Sequence, residues 1–130
     1  MTGETLLDEN SFLVSETDSK GIIRFANEDF CKIAGYSLEE LLGQPHNMVR
    51  HRDMPKAAFK SLWDTVQSGK VWEGYVKNAT KNGGFYWVHA TVYPFESSDG
   101  TKGYLSCRRK PAREEIEECE VLYKEWKTKE

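Results

Sequence analysis

Val71-Trp72-Glu73-Gly74-Tyr75-Val76-Lys77-Asn78-Ala79, Lys81-Asn82-Gly83-Gly84 and Phe85-Tyr86-Trp87-Val88-His89-Ala90-Thr91-Val92-Tyr93-Pro94 are the runs that decide the fold. The first alternates as a half-buried strand does. Asn82-Gly83 marks a tight hairpin, because the central residues of such a turn must tolerate φ > 0. The last run is long and rich in aromatic and β-branched side chains, which suit a pleated surface. Alternation sends Tyr86 and Trp87 to opposite faces, and Trp87 is expected on the outer one, open to a helix or a partner.

Upstream of this hairpin, Ala58, Phe59, Leu62, Trp63 and Val66 recur at helical spacing, with Pro55 at the start and Ser68-Gly69-Lys70 at the close. Before that helix lies Gly43-Gln44-Pro45-His46-Asn47-Met48-Val49-Arg50-His51-Arg52-Asp53-Met54-Pro55. Two His, two Arg and an Asp between prolines form a short, constrained connection. It can donate hydrogen bonds in several directions and suits an anionic or heteroaromatic ligand, or is a polar surface loop.

Nearer the N-terminus, Phe12 to Thr17 and Ile22 to Ala26 read as strands joined by the turn Asp18-Ser19-Lys20-Gly21. Asn27 is an N-cap followed by acidic residues, and Gly35 ends that helix. Ser37 and Glu40 form a capping box for a short helix that stops at Gly43. On the far side of the hairpin, Gly103 to Arg109 is the last strand. From Arg113, an amphipathic helix with Ile116, Cys119, Val121, Leu122 and Trp126 is expected to leave the domain.

Two strands, grouped helices, three strands and an exit helix make an α+β domain: a five-stranded antiparallel sheet with short helices on one face. The expected division is a mobile or loosely docked lead-in at 1–11, the domain proper at 12–110 and the exit helix at 111–130. A length of 130 residues suits one core. A net charge of −3 gives no pull toward nucleic acid. No apolar run reaches the ~18 residues of a membrane span, and the N-terminus lacks the pattern of a signal peptide. Cys31, Cys107 and Cys119 show no metal spacing and fit a reducing, cytoplasmic setting. No triad, paired catalytic carboxylates or phosphate loop opening a helix is visible, so catalysis is not the expected role.

The element order resembles that of PAS domains, and particular strings narrow the likeness. Phe25-Ala26-Asn27-Glu28-Asp29-Phe30, Gly35-Tyr36-Ser37, Gly43-Gln44-Pro45-His46-Asn47-Met48-Val49-Arg50-His51, Asp53-Met54-Pro55-Lys56-Ala57-Ala58-Phe59, Trp72-Glu73-Gly74-Tyr75-Val76-Lys77-Asn78, Tyr86-Trp87-Val88, Gly103-Tyr104 and Leu122-Tyr123-Lys124 are similar to the Aer-type PAS domains of aerotaxis receptors. The likeness runs from about residue 12 to residue 125. It implies a non-covalently held FAD whose redox state follows respiration and oxygen. It also implies signalling to a chemoreceptor or similar partner through the sheet face or the exit helix, with homodimerisation common in such domains. Carried over by motif, the cofactor contacts are Asn27, His46, Arg50, His51, Asp53, Phe59, Trp72 and Asn78. Arg52 stands where the family often has Pro, and Ala79 where it often has a basic residue.

The residues themselves leave alternatives. Arg50 can clamp a pyrophosphate or a carbonyl through its planar fork, or pair with Asp53 or a nearby Glu. His46 and His51 can donate to a ligand or serve structurally. Asp53 can orient His51 or Arg50, or cap the next helix. Asn78 can meet the edge of a pyrimidine-like ring or end its strand. Asn27 is locally an N-cap. Phe59 and Trp72 can wall a ring or pack the core. His89, on a strand among aromatics, is a conceivable haem ligand. The rivals to an FAD sensor are therefore a cofactor-free PAS interaction module and a PAS sensor of haem or another small ligand.

Overall fold

The strand–turn–strand reading is realised as β3 (Trp72–Ala79) and β4 (Phe85–Glu96), paired antiparallel from Trp72↔Val92 to Ala79↔Phe85 in a computed structural model that describes residues 3–130. Met1 and Thr2, the start of the expected lead-in, lie outside the described residues. With β1 (Leu13–Asp18), β2 (Ile23–Ala26) and β5 (Lys102–Arg109), these strands form one antiparallel sheet in the order β2-β1-β5-β4-β3. β4 continues past Pro94. β3 begins opposite Val92, so beyond that point β4 has a neighbour only on the β5 side, where a proline is tolerated.

Between β2 and β3 come α1 (Glu28–Ala34), α2 (Leu38–Leu41), a 3-10 helix (His46–Val49) and α3 (Lys56–Gln67). The Asn27 side chain caps α1 through Phe30 N–H at 3.1 Å. It also accepts from Val14 N–H at 3.0 Å and donates to Phe12 O at 2.7 Å, which ties α1 to β1. Gly35 ends α1 at φ 84°, and Ser37 and Glu40 complete the capping box of α2. The helices cover the inner face of the sheet over a core that includes Leu13, Ile23, Phe30, Leu41, Val49, Val66 and Val88.

The polar connection is held at both sheet edges. Ile23 N–H donates to Gln44 O beside β2, while Arg50 bridges Asn78 and His51 N–H donates to Lys77 O beside β3. Asp53 is not the cap of α3. Pro55 occupies the N-cap position without a side-chain bond, and the Asp53 carboxylate pairs with Lys77 at 2.8 Å.

The amphipathic helix expected from Arg113 is present. α4 (Arg113–Thr128) does not leave the domain but lies on the outer face of the sheet, with Ile116 and Tyr123 buried. Ile116, Cys119, Tyr123 and Trp126 pack on the core at the outer face and leave water there, whereas Val121 and Leu122 stay exposed. Tyr123 stacks on Trp87 at 6.3 Å between ring centroids and donates its hydroxyl to Tyr75 O at 2.7 Å. Tyr75 in turn donates its hydroxyl to Glu115. The lead-in is docked as well: Glu4 pairs with Phe85 and, through its carboxylate, with Arg113, and Leu7 is buried.

Candidate functional site

A cavity of about 340 Å3 lies between the inner face of the sheet and the helices. That volume is near the lower end for small-molecule sites (~300–1,000 Å3). β3 supplies Val76 and Asn78, β4 Ala90 and Val92, and β5 Tyr104, Ser106 and Arg108. α3 adds Phe59, Leu62 and Trp63, and the polar connection adds Pro45, His46, Asn47 and Arg50. The wall is closed by Thr17, Lys20 and Gly21 around the β1–β2 turn. Three of these side chains are cationic, Lys20, Arg50 and Arg108, and none is a carboxylate, in a chain whose net charge is −3.

Arg108 dominates the deep end. It is 2% exposed, yet no carboxylate pairs with it. Nη2 donates to Ser15 Oγ and approaches His46 Nε2 at 3.4 Å, and the guanidinium carbon lies 4.5 Å from the centre of the Phe30 ring. Nη1 is buried without any hydrogen-bond partner. Burial brings the guanidinium down to about 10, because the charged form has lost water and gained no counter-ion.

His46 sits beside it, with Nε2 3.0 Å from Ser15 Oγ. Although part of the residue reaches solvent, the ring is enclosed against Phe30 at 5.8 Å. Burial, then the charge of Arg108, pushes its pKa down to about 3. The ring is thus neutral, and since arginine can only donate, Nε2 is assigned as the acceptor. A relay follows in which Arg108 donates to Ser15 and Ser15 donates to His46.

Asn78 is buried on β3, its amide nitrogen 3.5 Å from the hydroxyl of Tyr86. Burial raises Tyr86 to about 12, so it remains a neutral phenol. Arg50 lies with its guanidinium 3.6 Å from the centre of the Phe59 ring, and burial lowers its pKa.

Four of the eight expected contacts, His46, Arg50, Phe59 and Asn78, therefore come together around the cavity. The other four are placed elsewhere. Asn27 is occupied by backbone groups of β1 and α1. The Nδ1 of His51 accepts from Asp53 N–H at 3.0 Å, and its ring lies edge-on to Phe85; burial, then the charge of Lys77, lowers its pKa. Asp53 faces Lys77, whose hydrogen bond holds its carboxyl below the usual range. Trp72 folds over Gly74, where a Cβ would lie 2.5 Å from the indole, and donates Nε1–H to Ser61 Oγ at 3.3 Å. His89 points outward, 3.3 Å from Glu73 and stacked on Tyr75 at 5.0 Å, away from the cavity.

Ser15 and Arg108 were not among the expected residues. Alternation carried along β5 puts Tyr104, Ser106 and Arg108 on one face, so an arginine at an inward strand position was the available signal.

A family model for the PAS fold matches residues 23–108. The chain is a PAS domain. Within that family it is of the aerotaxis-receptor type: it is 48% identical over 120 residues to the Aerotaxis receptor of Escherichia coli K12, covering 92% of this chain and 24% of that protein. The Nitrogen fixation regulatory protein of Klebsiella pneumoniae is 30% identical over 106 residues, covering 81% and 21%. The PAS domain thus spans about a quarter or less of these signalling relatives. Among solved structures, a PAS domain from Colwellia psychrerythraea superposes with a TM-score of 0.70 at 24% identity, covering 81% of this chain and 90% of that one. The blue-light photoreceptor domain Aureochrome1 LOV gives 0.69 at 19%, covering 87% and 86%, and at this identity the likeness concerns fold alone. No helix among the described residues is long and apolar enough to cross a membrane.

Proposed function

We propose that this PAS domain holds a flavin, FAD in the first instance, in the inner cavity and reports its redox state to a chemoreceptor or comparable signalling partner. The observation that carries the reading is Arg108: a buried guanidinium with an open N–H, on the wall of a cavity that contains no acid. An unsatisfied buried charge is costly, so a site that keeps one is suited to an electron-rich ligand. Kinship with an aerotaxis receptor and a fold shared with flavin-analogue-bearing light-oxygen-voltage domains support the same ligand class.

A bound flavin supplies reversible, proton-coupled electron transfer. The chain's own part is to bind, orient and set the electrostatics. Asn78 offers both a donor and an acceptor through one amide, Phe59 walls the site, and Arg50 and Arg108 place fixed positive charge at two ends. Such charge favours the more electron-rich state of whatever lies between. Ser15 and neutral His46 hold Arg108 in place.

Output follows from strand alternation. Asn78 and Val76 face the cavity while Lys77 and Tyr75, their neighbours in β3, face outward toward the elements that hold α4. A shift of β3 caused by a change in hydrogen bonding at Asn78 would alter the seat of α4, the expected signalling helix. Either redox state must interact differently with the two positions for this to work.

Protein purified in the dark is expected to carry a flavin absorbance and to release FAD on heating, identified by chromatography and mass. A colourless protein that also takes up none of FAD, FMN or riboflavin would overturn the reading and leave a cofactor-free interaction module or a sensor of another ligand.

A further inference from the structure

The polar connection touches the inner cavity at one end and the C-terminal helix at the other. His46, Asn47 and Arg50 line the cavity. Two residues further on, Arg52 O accepts from Lys127 in the last turn of α4. Glu130, just past that helix, accepts from Ala57 N–H at 3.1 Å. A lysine and a glutamate at an exposed helix end are ordinarily solvated charges. Here both go to backbone groups that lack a local partner. Pro55 gives α3 no side-chain cap and the first turn of α3 holds no acid, so Glu130 supplies, from another helix, the acceptor and negative charge that a cap would have given.

The turn that carries Arg52 has little slack. Met54 N–H donates to His51 O at 3.1 Å across it, and Asp53 N–H donates to His51 Nδ1 at 3.0 Å. The Asp53 carboxylate holds Lys77 at 2.8 Å, and Met54 is buried. Where the turn begins, Arg50 is bridged to Asn78 and lies over the Phe59 ring. A displacement of Arg50 is therefore passed on to Arg52 O.

We propose that Lys127 and Glu130 clasp α4 to this turn, so that filling the inner cavity steadies the last turn of the helix; the choice of ligand rests on the flavin reading, the clasp itself does not. By linkage the coupling is reciprocal: the factor by which occupancy favours the closed clasp is the factor by which the closed clasp favours the ligand. The clasp reports that the site is filled, which is separate from a redox response carried by β3.

The test combines amide hydrogen exchange of α4 with FAD titration followed by flavin fluorescence. It compares wild type, Lys127→Met and, as a control, Lys124→Met, which alters an exposed lysine of the same helix. Saturating FAD should slow exchange at residues 124–128 of wild type by roughly threefold, and Lys127→Met should abolish that response. Lys127→Met should also bind FAD roughly threefold more weakly, although its side chain lies outside the cavity, with Lys124→Met unchanged in both readouts. A ligand-free arm uses Arg50→Ala, which frees the connection from Phe59. It should speed exchange at residues 124–128 by roughly threefold and leave residues 117–120 unmoved. Lys127→Met with wild-type FAD affinity and a last turn that still responds to FAD overturns the clasp and leaves the flavin reading standing. If no flavin binds, the flavin reading falls, and a last turn unmoved by Arg50→Ala overturns the clasp as well.

Discussion

The two faces of the sheet are made by the same strands and are finished in opposite ways. On the outer face, aromatic side chains find partners within the chain: Trp87 with Tyr123, Tyr75 with His89 and Glu115, and Tyr123 with the carbonyl of Tyr75. The groove beside α4 carries both signs of charge, with Asp53, Glu117 and Glu120 against Lys77, Lys124 and Lys127. On the inner face three cations meet no acid, and one buried N–H has no acceptor. Local rules of satisfaction are obeyed where the chain must hold itself together and broken where something else is to be held.

If that contrast is right, substitutions on the outer face act on stability and those on the inner face act on binding. Trp87→Ala is expected to have the largest effect. The side chain is 4% exposed and stacks on Tyr123, so its removal should cost about 3–5 kcal/mol in urea unfolding. Amides of α4 should lose hydrogen-exchange protection, while flavin uptake by the folded fraction stays near wild type. A cost below about 1 kcal/mol would mean that α4 is not seated by this contact.

The second effect concerns pH. His46 is held neutral down to about 3 when folded, whereas an unfolded histidine takes up its proton near 6.5. Below about 6.5 the unfolded state binds more protons, so stability falls as pH falls toward 3 and is fully present above that window. Between pH 7 and 5 the ligand-free protein should lose about 1–2 kcal/mol, and His46→Gln should flatten much of that slope. His51, also lowered by burial, adds in the same direction, so the quantity to read is the difference between His46→Gln and wild type. An identical slope in both would show that the His46 ring is solvated.

Arg108→Met should separate the faces most cleanly, because the expected signs are opposite. Replacing an unpaired buried charge by an apolar chain should stabilise the ligand-free protein by about 1–2 kcal/mol. Flavin affinity should fall roughly tenfold or more. A variant that loses stability would make Arg108 structural, acting through Ser15 and Phe30.

The sequence was most legible where one local rule decides. The capping residues Asn27 and Ser37, the left-handed stop at Gly35 and the Asn82-Gly83 turn fall where their chemistry requires. Alternation puts Tyr86 and Trp87 on opposite faces, and Trp87 is the outer of the two as expected. Legibility failed where two elements compete for one residue. Asp53 reads as a cap, but Lys77 on β3 takes its carboxylate, and the open N–H of Ala57 in the first turn of α3 donates to Glu130 Oε2 instead. The apolar stripe of α4 announced an amphipathic helix, but only the composition of β3 and β4 outward positions says that it folds back. At the site, His46, Arg50, Phe59 and Asn78 share a cavity although they lie on three separate elements and a connection. Arg108 escaped because a strand arginine usually reads as exposed, and only its place against buried Ser15 and Phe30 shows otherwise.

The smallest expected effect tests how α4 is fastened. Tyr123→Phe keeps the ring that stacks on Trp87 and removes only the hydroxyl that donates to Tyr75 O. Losing one such bond, with the carbonyl left to find water at a partly covered seam, should cost about 1 kcal/mol. Tyr75 lies on β3 next to Val76, which faces the cavity, so this bond is the point at which the two faces are nearest to being coupled. In the flavin-bound protein the cost should differ between the oxidised and the reduced states if redox change moves β3, and it should be read as the difference in α4 amide exchange between Tyr123→Phe and wild type in each state. An equal difference in both states would mean that the outer face does not sense the inner one through Tyr75, and the route to α4 would have to run through Trp87 and β4.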